Sequence, residues 1–195
     1  PAARPAGAVA WVLCARSGTL MWLALALLTR TGLLHPQQSE SREIVSLDGL
    51  WRFRFDANGA GVQQQWHLNG LPQPTLTMPV PSSYNDLTQD ITLREHVGLV
   101  WYERECFIPK TWQQQRSVLY VGSANHLAVV WLNGRRLGEH RGGHLPFHLQ
   151  LDPSSTEYGR SNRLTIALNN TLTTTTIPPG FVQTNIAGRK IQRLQ

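Results

Sequence analysis

Leu127-Ala-Val-Val-Trp-Leu132, Asn133-Gly134 and Arg135-Arg-Leu-Gly-Glu139 follow one another as an apolar run, a two-residue turn and a second run. Asn-Gly takes positive φ at both central positions of a type I′ turn, whose twist matches that of two paired strands. The stretch predicts a β-hairpin, and the chain on either side repeats the pattern. Upstream, Leu50-Trp-Arg-Phe-Arg-Phe55 alternates apolar and basic residues and breaks at 56–61, where Asn58-Gly59 marks a turn. Residues 97–108 form a strong strand pattern ended by Pro109, and 117–121 a shorter one. Downstream, Gly142-Gly143 turns the chain, 145–151 is a further candidate strand, and Arg163-Leu-Thr-Ile-Ala-Leu168 precedes a threonine-rich run at 171–176. Many short strands separated by turn chemistry, with no long amphipathic helix and no internal repeat, predict an all-β chain folded as a sandwich or jelly roll.

Two intervals lack the alternation. Residues 63–68 suit a short helix, whereas 71–86 carry Pro72, Pro74, Pro79 and Pro81 and predict an extended crossover loop with few ladder bonds. The chain has 195 residues, of which 41% are hydrophobic and 15% charged, enough for one well-buried core. A (β/α)8 barrel needs roughly 250 residues, so a sandwich and a barrel do not both fit.

The formal net charge is +6, but the basic residues are scattered, and zinc-finger, helix-turn-helix and RNP patterns are absent, which argues against a nucleic-acid partner. Residues 20–28, Leu-Met-Trp-Leu-Ala-Leu-Ala-Leu-Leu, lie between Arg16 and Arg30 and precede Thr31-Gly32. This is the form of a signal-peptide apolar core, too short for the about 20 residues of a membrane span. We therefore expect a leader over 1–33, entry into the secretory pathway, no membrane span, a folded domain over 34–180 and a tail over 181–195.

Of the two cysteines, Cys14 falls in that leader and Cys106 alternates with Tyr102, Arg104 and Ile108, which predicts a packed thiol and no intrachain disulfide. Asn169-Asn170-Thr171 is an N-x-T sequon, so Asn169 is the expected glycosylation site of a secreted chain.

Three constellations bear on chemistry. His140, His144 and His148 have the spacing of zinc ligands on one helix face, but Gly142, Gly143 and Pro146 exclude that helix. Glu103 and Glu105 share one strand face about 7 Å apart, within the range of paired glycosidase carboxylates, yet they read as the solvated or ion-paired side of a half-buried strand. Ser82-Ser83 has no G-x-S-x-G elbow around it, and no phosphate-binding glycine loop occurs. No catalytic, cofactor-binding or metal-binding residue is assigned, and no cofactor is expected.

Taken in order, Leu47-Asp-Gly-Leu-Trp-Arg-Phe53, Met78-Pro-Val-Pro-Ser-Ser-Tyr-Asn-Asp86, Val100-Trp-Tyr-Glu-Arg-Glu105, Gly122-Ser-Ala-Asn-His126, Val130-Trp-Leu-Asn-Gly134, Glu139-His-Arg-Gly-Gly-His-Leu-Pro-Phe147 and Asn169-Asn-Thr-Leu172 resemble the β-glucuronidases of glycoside hydrolase family 2. The resemblance runs over about 34–180 and implies the amino-terminal, galactose-binding-like jelly roll of that family, a sugar-binding domain. In that family the jelly roll stands beside an immunoglobulin-like domain and a barrel, where two glutamates carry out retaining hydrolysis. The resemblance further implies a lysosomal homotetramer, free of cofactors, that removes terminal β-D-glucuronic acid from glycosaminoglycans and other glucuronides in carbohydrate catabolism. Neither catalytic glutamate has a counterpart here, so this stretch by itself is expected to be non-catalytic. A stand-alone carbohydrate-binding module, with exposed tryptophan or tyrosine platforms, and a structural assembly domain are the alternative readings. After Gly180, Phe181-Val-Gln183 still resembles the family, but 184–195 departs from it and lacks the aromatic-rich strand expected to close the sandwich, which predicts an unpaired edge.

Overall fold

The computed structural model describes residues 10–15, 42–185, 188 and 190–194. In chain order the elements are β1 (Ala10–Ala15), β2 (Arg42–Ser46), β3 (Gly49–Asp56), α1 (Trp66–Asn69), β4 (Leu76–Val80), α2 (Tyr84–Leu87), α3 (Ile91–Arg94) and β5 (Leu99–Ile108). A 3-10 turn at Lys110–Trp112 leads to β6 (Arg116–Val121), β7 (Leu127–Leu132), β8 (Arg135–Arg141), β9 (Phe147–Gln150), β10 (Arg160–Asn169), β11 (Gly180–Thr184) and β12 (Lys190–Leu194). The strands form a six-stranded sheet in the order β4-β3-β5-β10-β7-β8, a four-stranded sheet in the order β2-β1-β6-β9, and a separate pair, β11-β12. The ladders are antiparallel. The all-β sandwich expected from the sequence is the architecture found.

Alternation puts Trp51 and Phe53 of β3, Tyr102 and Cys106 of β5, Leu164 and Ile166 of β10, and Val130 of β7 on the inner face of the large sheet. Leu119 and Val121 of β6 and Phe147 of β9 meet them from the smaller sheet. Phe53 and Tyr102 touch edge to face, with ring centroids 4.9 Å apart. The opposite face of the large sheet is also dry: Trp101, Trp131 and Ala167 lie under Trp66 and Leu71 in a second cluster. Its lid is the 56–71 segment, folded by Asp56, whose carboxylate accepts from Ala60 N and Gly61 N at 2.8 Å each and from Trp101 Nε1 at 3.1 Å. Gly61 is obligatory, since a Cβ would stand 2.6 Å from Trp101 Nε1.

The β7–β8 hairpin turns as expected, with φ of 51° at Asn133 and 83° at Gly134. Two expectations need correction. Helix α1 starts at Trp66 because Gln65, at φ 55° and ψ 44°, is left-handed and ends helical geometry on its upstream side. The proline-rich 71–86 segment contains β4, which pairs with β3 in a register that sets Pro79 opposite Leu50. Because β4 is the outermost strand, a missing N–H directed away from β3 leaves no neighbour unpaired.

The apolar core of the expected leader, 20–28, lies outside the described residues. Upstream of it, Ala10–Ala15 is laid down as a sheet strand. The expected tail is not a strand of either large sheet: β11 and β12 form their own hairpin, with Phe181 opposite Arg193 and Gln183 opposite Ile191.

Candidate functional site

The sequon sits where β10 leaves the sheet. His126 N donates to Asn169 O at 3.1 Å, and Thr171 N donates to Asn169 Oδ1 at 2.9 Å, an Asx turn. The Asn169 amide nitrogen makes no hydrogen bond among the described residues, and the residue is half-buried. Asn170 is the opposite case. Its Oδ1 accepts from Gly98 N at 2.9 Å, while its Nδ2 donates to Tyr84 Oη at 2.7 Å and to His96 O at 2.9 Å. Burial pushes the Tyr84 phenol up to about 12, against the opposing hydrogen bonds of Asn85 and Asn170.

Beside this loop opens a cleft of about 790 Å³. Asn85, Asn125 and His144 supply polar groups, and Leu172, Ile177 and Ile191 supply apolar wall. The wall from β12 is tied down by Gln192, whose Oε1 accepts from Leu172 N at 2.5 Å and whose Nε2 donates to Asn170 O at 2.9 Å. His96 Nε2 lies 2.9 Å from Leu99 O, and burial holds its imidazole below the ordinary range, with the charge of Lys190 acting in the same direction. Polar groups above an apolar wall suit a hydroxyl-rich ligand of saccharide size. Among the described residues Glu95 is the one carboxylate that lines the cleft, so they supply no carboxylate pair for glycoside hydrolysis there.

The other candidates resolve into scaffold. Glu103 is buried on the outer face of β5, 2.6 Å from Arg52 Nη1 and 3.8 Å from Arg163 Nε, and it also accepts from Leu71 N at 3.2 Å. Glu105 accepts from Ser161 Oγ at 2.8 Å. The two carboxylates thus anchor different parts of the sheet, and Glu103 is an acceptor locked between two guanidiniums. His140 stacks on Phe147 with centroids 4.4 Å apart, His148 packs against Tyr120 at 5.0 Å, and His144 lines the cleft. Among the described residues no group of three or more histidine, cysteine or acidic side chains is placed to hold a metal ion. Ser82 Oγ donates to Pro79 O, and Ser83 precedes α2. Cys106 is the packed thiol expected of it, buried in the core, and burial raises its pKa to about 11.

Trp51, Trp66, Trp101, Trp112 and Trp131 are all buried. The tryptophans whose burial is described therefore offer no stacking platform at the surface. Sequence reasoning missed Gln192, which lies in the divergent tail, and the setting of His126, whose ring nitrogens are both buried without a partner among the described residues. Burial, and then Arg141 and His144, hold that imidazole below its usual range.

The family model for the sugar binding domain of glycosyl hydrolases family 2 matches residues 44–177, from β2 to the end of the threonine-rich loop. The chain belongs to this family. Family 2 membership is matched by individual relatives. The β-glucuronidase of Homo sapiens is 47% identical over 190 residues, covering 90% of this chain. That of Paenibacillus borealis is 46% identical over 152 residues, covering 78% of this chain. A crystal structure of β-glucuronidase from Ruminococcus gnavus superposes with a TM-score of 0.76 at 36% identity over 83% of this chain. The chain spans 28% of the length of the human protein and 27% of the Ruminococcus chain. Among the described residues no helix is long and apolar enough to cross a membrane.

Proposed function

We propose that these residues form the amino-terminal sugar-binding domain of a β-glucuronidase that removes terminal β-D-glucuronic acid from glycosaminoglycans and other glucuronides. The observation that carries this reading is the family match over 44–177. In this reading the domain shapes and supports, and the bond-breaking carboxylates lie elsewhere in the enzyme; it is supported by Glu103 being held between two arginines and by Glu95 being the one carboxylate that lines the cleft among the described residues. The accompanying reading is a secreted, lysosomal glycoprotein that assembles as a homotetramer, with 1–33 as leader and Asn169 as the acceptor. Asn169 is favoured because it opens the N-x-T sequon and its amide nitrogen makes no hydrogen bond among the described residues, whereas Asn170 holds the loop together.

Grafting residues 44–177 in place of the matching segment of the human enzyme tests the first reading. The chimera is expected to hydrolyse a chromogenic β-glucuronide, whereas a folded, assembled chimera without activity would overturn it. These residues expressed alone are expected to give no turnover, and robust turnover by pure material would refute that. Asn169→Gln is expected to remove one glycan from protein made through the secretory pathway, seen as a mass loss. An unchanged mass rejects the assignment.

A further inference from the structure

The four-stranded sheet is built out of chain order. Its first strand in sequence, β1, lies in the middle, pairing antiparallel with β6 over six residue pairs and with β2 over five. Among the described residues β2 pairs with no other strand, and it is also held beside this interval by Val45, packed against the core, and by Glu43, which accepts from Trp112 Nε1 at 2.6 Å. The β6 positions facing this interval alternate between core and surface: Ser117, Leu119 and Val121 are buried, while Val118 and Tyr120 are half-buried. In register, Val12 stands opposite Leu119 on one side and Val45 on the other, Ala10 opposite Val121, and Cys14 opposite Ser117. The segment Ala-Trp-Val-Leu-Cys-Ala is uncharged and free of proline and glycine, as a central strand requires.

We infer that the interval between β2 and β6 is a strand-acceptor groove. Ala10–Ala15 fills it in cis, and once the chain is cut between β1 and β2 the groove takes up the same segment from a separate polypeptide. Emptied, it presents two unpaired strand edges, the arrangement that recruits an added strand, with main-chain hydrogen bonds along both sides supplying affinity. The apolar stretch 20–28 lies between β1 and β2. Leader cleavage beyond it would therefore open the groove in the processed protein. That consequence rests on the leader reading above; the groove itself does not.

The first test uses the full chain carrying Ser117→Cys or Glu43→Cys, oxidised with diamide and mapped by mass spectrometry. Directly opposite residues in a ladder have Cα atoms about 4.5–5.5 Å apart, within the disulfide range of about 4.4–6.8 Å. A disulfide from Cys14 to the cysteine at 117 and, in the second variant, to that at 43 is expected. Val118→Cys, which is out of register with Cys14, is the control and should form none. In the second test a protease site is inserted within 16–41, the folded chain is cut, and a labelled peptide of residues 8–17 is added. The cut chain is expected to exchange its β1 for the labelled peptide, or to refold on receiving it if loss of β1 unfolds it, while a scrambled peptide does neither. Absence of both disulfides, or a cut chain that neither binds nor responds to the peptide, overturns the inference. Amino-terminal sequencing of the secreted protein tests the leader separately. A start upstream of Ala10 would defeat the processing consequence and leave the groove standing.

Discussion

At the middle of the six-stranded sheet β5 and β10 are buried on both faces, whereas at the edges of the four-stranded sheet β2 and β9 expose alternate or adjacent residues to water. The large sheet draws its strands from between Gly49 and Asn169, a stretch that also supplies β6 and β9, and carries two dry clusters, one on each side. The small sheet is assembled from segments far apart in sequence, and among the described side chains Leu119, Val121 and Phe147 pack against the core. The comparison teaches that the sandwich rests on its large sheet, and that its small sheet is where loss or exchange of a strand is affordable.

Trp101→Ala should have the largest effect, because it empties the middle of the outer cluster under Trp66 and Trp131: a loss of about 3–5 kcal/mol in urea unfolding. A loss no greater than that of an edge substitution would break the comparison. Glu103→Gln comes next, at about 2 kcal/mol, since it strips the charge from a buried acceptor that two arginines and Leu71 N share. Arg52→Ala should cost less, as its side chain is 48% exposed and water replaces part of the contact. A reversed order would mean that the guanidinium, and not the buried carboxylate, organises the site. The smallest effect is expected for Val45→Ala on β2, about 1 kcal/mol in the same measurement.

Acid sharpens the comparison at the cleft. His126 and His96 have folded pKa values below the ordinary 6.5, so below that pH the unfolded chain binds protons that the folded one refuses. The stability they permit is intact above pH 6.5 and falls as pH drops toward the folded values. Thermal unfolding measured from pH 8 to pH 5 should show a falling midpoint, and His126→Gln should flatten the slope. An unchanged slope would remove His126 as its source.

All the strands of the large sheet except β4 were legible because each declares itself locally. Leu50 to Phe55 alternates with period two, and Asn133-Gly134 takes the positive φ that its turn needs. Strand β4 was hidden because four prolines dominate any local reading, and only its position at the sheet edge makes Pro79 harmless. The scaffold role of Glu103 was half legible: its spacing from Glu105 was visible, but Arg52 and Arg163 reach it only after β3 and β10 flank β5. The sequon was legible as a motif. The role of Asn170 in holding the loop was not, since it depends on where Tyr84, His96 and Gln192 arrive.

By itself, then, the sequence determined the fold class, the hairpin, the packed thiol at Cys106 and the family resemblance, because alternation, turn dipeptides and motif order act between near neighbours in the chain. Only the tertiary structure decided that Trp51 is buried on one side of the large sheet and Trp101 and Trp131 on the other, that β1 stands between β2 and β6, and that the tail walls a cleft. Those features depend on which distant segments meet, and contacts between distant segments leave no period in a sequence.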